Sequence, residues 1–129
     1  MSDEQAEDYR PNDSVPGDAV MVRGAPVTVP ILRSNARKSW KLCGFHGVSM
    51  FAFPNCNADE VSEKVGIPHD EICEAKAETV MTAGFELKRT FDTPGHFSLI
   101  FTGKPSDDDL QTVVKLFAEC KENRHRSSD

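Results

Sequence analysis

The stretch FELKRTFDTPGHFSLIF, residues 85–101, decides the fold. Two aromatic-rich apolar runs flank a Pro-Gly turn, which is the pattern of a β-hairpin. A three-residue loop, Thr93-Pro94-Gly95, would set Asp92 opposite His96, Phe91 opposite Phe97 and Leu87 opposite Phe101. That register sorts the hairpin into two faces. One carries Phe85, Leu87, Phe91, Phe97, Leu99 and Phe101. The other carries Glu86, Lys88, Thr90, Asp92, His96, Ser98 and Thr102, with Ile100 alone apolar. A one-residue slip would mix the faces, so the sorting fixes the pairing. Arg89 is the misfit, on the apolar side or at its rim.

Working outward, DAVMVRG (18–24) reads as a first strand and residues 29–42 as a helix. Thr28 stands at the helix cap and Pro30 in its first turn. GVSMFAF (47–53) is a strand expected to be buried on both faces. Asn57 and Glu60 have capping-box spacing for a short helix that ends at Gly66. HDEICEAKAETVMTAG (69–84) reads as a further helix, and Ser106 caps a last one through DDDLQTVVKLFAEC. The order β-α-β-α-α-β-β-α predicts an α+β fold, with a small, mainly antiparallel sheet and helices packed on it.

Residues 1–20 hold six acids, one base and almost no large apolar side chain. Such a segment buries too little to offset its ordering entropy. The expected organisation is a disordered acidic arm at 1–17, a single domain at 18–120 and a flexible tail at 121–129. The whole chain carries −6, yet residues 21–104 hold ten Lys/Arg against nine Asp/Glu, so the acidity sits at the ends. One basic run, RSNARKSWK (33–41), stands out. No stretch has the ~18 apolar residues of a membrane span. A cytoplasmic protein is expected, with Cys43, Cys56, Cys73 and Cys120 as reduced thiols.

His96 is the first candidate for chemistry. In the expected register it has Asp92 beside it to orient the ring and raise its pKa, and Ser98 and Lys88 lie on the same face. His46 is the second, between Gly44 and Gly47 and ahead of Ser49. Two histidines in one cleft could serve as acid and base in RNA cleavage without a metal, with Lys88 or Arg89 stabilising the phosphorane. The catalytic candidates are thus His96, His46, Lys88, Arg89 and Ser98. Arg23, Ser49 and Asp92 are candidates for substrate binding.

Cys43-x2-His46 and His69-x3-Cys73 have permissible zinc spacing, but isolated pairs of this kind are common by chance, and no metal is expected. There is no phosphate loop, dinucleotide fingerprint or Ser-x-x-Lys, and no cofactor is expected. MVRG (21–24) and FHGVS (45–49) resemble scraps of ADP-ribosyltransferases, but no late-strand glutamate motif accompanies them.

The arrangement VMVRG (20–24), GFHGVSMFAF (44–53) and TAGFELKRTFDTPGHFSLIF (82–101) resembles a widespread set of small actinobacterial and phage proteins over roughly residues 19–118. The resemblance marks Arg23, Gly47, Ser49, Gly84, His96 and Ser98, and leaves the cysteines out. In size and layout such proteins are similar to toxin components of toxin–antitoxin pairs, which is analogy at the level of the fold. The leading expectation is a toxin-like cytosolic enzyme acting on RNA. The alternatives are a non-enzymatic regulatory module, antitoxin- or inhibitor-like, whose acidic arm engages a basic protein partner, and an ADP-ribosyltransferase-like toxin.

Overall fold

The computed structural model describes residues 8–10 and 13–125. Its elements run β1 (Val20–Gly24), α1 (Val29–Cys43), β2 (Gly47–Phe51), α2 (Ala58–Val65), β3 (Glu71–Lys76), α3 (Ala77–Thr82), β4 (Glu86–Arg89), β5 (His96–Ile100), α4 (Asp107–Leu116) and β6 (Glu119–Glu122). The strands form one antiparallel sheet in the order β4-β5-β2-β1-β3-β6. The fold is α+β.

Local signals explain most element ends. Thr28 accepts a hydrogen bond from the Ile31 amide at the start of α1, and Gly44 closes that helix in a left-handed conformation. Asn57 and Glu60 form the reciprocal capping box of α2, and Ser106 and Asp109 form that of α4. The sheet has a core on each side. Met21, Val48, Met50, Phe97 and Leu99 pack with Leu32 and Ala36 of α1 and with Leu110 and Val113 of α4. On the other side Val22 and Ile72 pack with Ala58 and Val61 of α2.

The expected helix over 69–84 is the main correction. Residues 71–76 form β3, and only 77–82 are helical. β1 is the cause. It matches β2 at one position, Val22 with Phe51, but β3 along all five residues. Strand pairing that buries Ile72 on one side and Cys73 and Ala75 on the other outweighs a weak helical pattern. The end of the last expected helix is likewise a strand, β6, paired with β3. That pairing sets Cys73 opposite Cys120, and the two form a disulfide rather than the expected free thiols.

The hairpin forms with a different register. Leu87 faces Leu99 and Arg89 faces Phe97, a shift of two residues from the expected pairing. The Thr90 amide donates to the His96 carbonyl at 2.9 Å, which lengthens the loop to residues 91–95. A two-residue shift leaves each side chain on its face, so face sorting cannot detect it. Two residues do change place. Phe91 leaves the core for the loop, at a φ of +62° and 48% exposed. Asp92 enters the same loop and no longer stands opposite His96.

Packing also runs past both expected domain boundaries. Residues 1–7 and 11–12 of the expected arm, and 126–129 of the expected tail, lie outside the described residues. Asp8 pairs with Arg89, the Tyr9 ring meets Phe97 edge-on at 5.4 Å, and Val15 is buried in the core. At the other end β6 continues to Glu122 and Asn123 is buried.

Candidate active site

Alternation along β5 turns His96 and Ser98 away from Phe97 and Leu99, onto the face that also receives Ser49 of β2 and Thr90 beyond β4. Ser49 stands directly opposite Ser98. Four side chains join in a chain of short contacts. Ser49 Oγ lies 3.0 Å from His96 Nε2, His96 Nδ1 lies 2.9 Å from Thr90 Oγ1, and Thr90 Oγ1 lies 2.9 Å from Ser98 Oγ. His96 is 8% exposed, pressed by the rings of Phe51 and Phe91 at 5.4 and 5.0 Å.

Burial lowers the pKa of this imidazole below its usual 6.5. A hydrogen bond with the Thr90 backbone opposes the fall, and the charge of Arg89 adds to it. The ring is therefore neutral at pH 7 and can accept a proton. With Nδ1–H donating to Thr90, Nε2 is the acceptor for the Ser49 hydroxyl.

Ser49 is exposed, unlike its neighbours Val48 and Met50, so β2 is not buried on both faces as expected. It opens into a groove of about 280 Å³ beside α1, lined by Asn35, Lys38, Ser39, Leu42 and Cys43 of the helix and by Gly47, Ser98 and Phe91. A Cβ on Gly47 would lie 3.1 Å from the Leu99 carbonyl and 2.9 Å from the Phe45 ring, so only glycine fits beneath the groove there.

Arg23 stands behind the groove rather than on its lining. Where β1 and β2 diverge, its guanidinium donates to the Ser49 carbonyl at 2.8 Å and to Asn35 Oδ1 at 3.0 Å. Burial pulls its pKa down to about 10, so it stays cationic at neutral pH. Its grip on Oδ1 commits that end of Asn35 and leaves the amide nitrogen as the end that can donate in the groove.

The other candidates fall elsewhere. His46 stacks flat on Trp40, with centroids 4.7 Å apart and planes at 6°. It shares a small cleft with Arg33, Arg37 and Lys104. Its carbonyl pairs with Phe101 while His96 pairs with Phe51, so the histidines stand at opposite ends of β2, about 17 Å apart at the usual strand rise. At about 100° per residue, the α1 side chains of the two clefts occupy opposite flanks of the helix. Arg89 is buried, bound to Asp8 at 2.5 Å and to the Thr90 and Phe91 carbonyls. Lys88 stands opposite Ser98 but is paired with Glu86 at 3.3 Å.

The structure thus joins His96, Ser98 and Ser49, with Arg23 behind them, and separates His46, Arg89 and Asp92 from them. Sequence reasoning missed Asn35 and Lys38 as site residues. Asn35 at a helical position next to buried Ala36 was the available signal for a polar group at the core's edge.

Among the described residues, no three His, Cys, Asp or Glu side chains converge as a metal site, and no helix is long and apolar enough to cross a membrane. Compared with family models, curated proteins and solved structures, the chain has no match.

Proposed function

We propose that the protein is a hydrolase acting on RNA in the groove between α1 and the Ser49–Ser98 pair. The observation that carries this reading is the 3.0 Å contact between an exposed serine hydroxyl and a buried, neutral imidazole. His96 takes the hydroxyl proton as Ser49 Oγ bonds to phosphorus, the phosphorus–oxygen bond to the departing ribose breaks, and His96 returns the proton to that oxygen. Water, deprotonated by His96, then attacks the phosphoserine, and Ser49 leaves with the proton restored. Lys38 and the Asn35 amide are the donors in the groove lining that can meet charge developing on a phosphodiester oxygen. His46 has no step in this scheme.

RNA as the substrate is supported by α1. Lys38 lines the groove, Arg37 and Lys41 stand exposed on the same helix, and the Trp40–His46 stack lies on the helix's opposite flank, where a strand that crosses the helix would meet it. Cations beside an exposed aromatic platform suit single-stranded nucleic acid.

The test is incubation of the protein with unstructured RNA beside Ser49→Ala and His96→Ala, each checked for folding. The reading requires cleavage by the wild type and its loss in both variants. Hydrolysis of a nitrophenyl ester without RNA cleavage would retain the pair and discard the substrate. Inactivity on both would discard the enzyme.

A second reading is favoured by Leu42, 74% exposed, and Phe91, 48% exposed, which border this groove. A protein partner with an apolar segment would cover both. In that case Leu42→Ala would weaken partner binding while Ser49→Ala leaves it intact, whereas a hydrolase would lose its turnover in Ser49→Ala.

A further inference from the structure

β6 is weakly held for a strand of this sheet. It lies at the edge, pairs with β3 alone, and all four of its residues are exposed. Two of its four cross-strand positions oppose like charges, Glu119 with Glu74 and Glu122 with Glu71. Like charges directly opposite one another destabilise a strand pair. Lys121 offsets part of this, 3.3 Å from Asp59 and 3.8 Å from Glu74. Between the repelling pairs sits the Cys73–Cys120 disulfide. Beyond β6 the chain is pinned by Asn123, whose side-chain nitrogen donates to the Ile67 and His69 carbonyls.

The two cysteines differ in access. Cys73 is 1% exposed, and Cys120 is exposed. Both border an open groove of about 810 Å³, with Asp70 and Glu71 on its lining. Glu122, opposite Glu71, shares the disulfide's face of the strand pair, whereas Glu74 and Glu119 project from the other face with Lys121.

We propose that this disulfide is a thiol-exchange site that takes small cationic thiols, with Cys120 as the sulfur that is modified. The incoming thiolate forms a bond to Cys120 Sγ, and the Cys73–Cys120 bond breaks. Its electron pair leaves on Cys73 Sγ, which takes a proton from water. The product is a mixed disulfide on Cys120 and a free thiol at Cys73. A second thiol attacking the mixed disulfide releases the oxidised small molecule and leaves both cysteines reduced. Access directs the attack to Cys120, and the surrounding carboxylates favour a positive thiol over a negative one. Losing the cross-link leaves the two Glu–Glu positions without their clamp, so β6 separates from β3 as far as Asn123.

The experiment treats the full chain at low ionic strength with cysteamine, 2-mercaptoethanol or 2-mercaptoethanesulfonate. Rates are compared per thiolate, and the modified cysteine is located by peptide mass mapping. The expected result is a mixed disulfide on Cys120, with cysteamine faster than the sulfonate on the order of ten-fold. That preference should shrink in high salt and in Glu71→Gln/Glu122→Gln. Hydrogen exchange should show the Glu119–Glu122 amides losing protection while β1 and β2 keep theirs. Modification at Cys73 instead, equal rates for the three thiols, or unchanged protection of β6 after modification would each overturn the proposal.

Discussion

The two histidines of β2's neighbourhood make an instructive pair. His96 is buried, held through both ring nitrogens by hydroxyls, and lowered in pKa. His46 lies against Trp40 at the opposite end of the strand, among cationic side chains. In the sequence they look alike, each next to a glycine and ahead of a serine. The difference lies in what the sheet brings to each. Alternation places three hydroxyls around His96, whereas His46 comes just before the strand and meets what α1 offers. An imidazole's chemistry follows from its neighbours, and only the pairing of strands supplies them.

The largest effect should come from cutting the His96 chain. Ser49→Ala and His96→Ala should each lower RNA cleavage by roughly 10²–10⁴-fold, while His46→Ala stays within a few-fold of wild type in the same kinetic assay. Equal losses at the two histidines would erase the contrast between them. Asp8→Ala should come next. It strips Arg89 of its carboxylate partner and leaves a buried cation, at a cost of roughly 3 kcal/mol in urea denaturation. Adding Arg89→Met should recover much of that loss.

On the other flank, Trp40→Ala should raise KM for RNA by roughly 5–30-fold with kcat unchanged, as expected of 1–2 kcal/mol of base stacking. The smallest effect concerns pH. The folded pKa of His96 lies below its usual 6.5, so the unfolded chain binds this proton first as pH falls. Stability from this group is therefore unchanged above pH 6.5 and declines below it. The acid limb of the rate profile should correspondingly lie below 6.5 and move in no direction with His46→Ala. A limb above 6.5 would mean that His96 is stabilised as a cation.

Much of the fold could be read from local chemistry. Thr28, Asn57, Ser106 and the glycines after α1 and α2 each mark a helix end by hydrogen bonding or backbone freedom. What escaped was decided by partners distant in sequence. EICEAK is a strand because β1 needs a mate there, and KR at 88–89 hides a buried arginine because Asp8 reaches it from 81 residues away. The polar face of the hairpin was legible, since a period of two survives a shift of two. The company of His96 was not, because that same shift exchanged the Asp92 carboxylate for the Thr90 hydroxyl. His46 and Arg23 were placed on the right elements and given the wrong surroundings.

Gly95 carries a consequence of its own. Its amide donates to Asp8 at 2.9 Å and its carbonyl accepts from Ala52 at 3.0 Å. A Cβ there would strike the Phe53 ring at 2.4 Å, and its φ of +73° suits no other residue well. Residue 96 follows immediately. The glycine is thus a rivet through three segments, and the stiffness it gives His96 is borrowed from the chain's first turns. A binding event that drew Asp8 away would free the Gly95 amide and the Arg89 guanidinium together, so the segment around residue 8 and the loop between β4 and β5 are joined through one carboxylate.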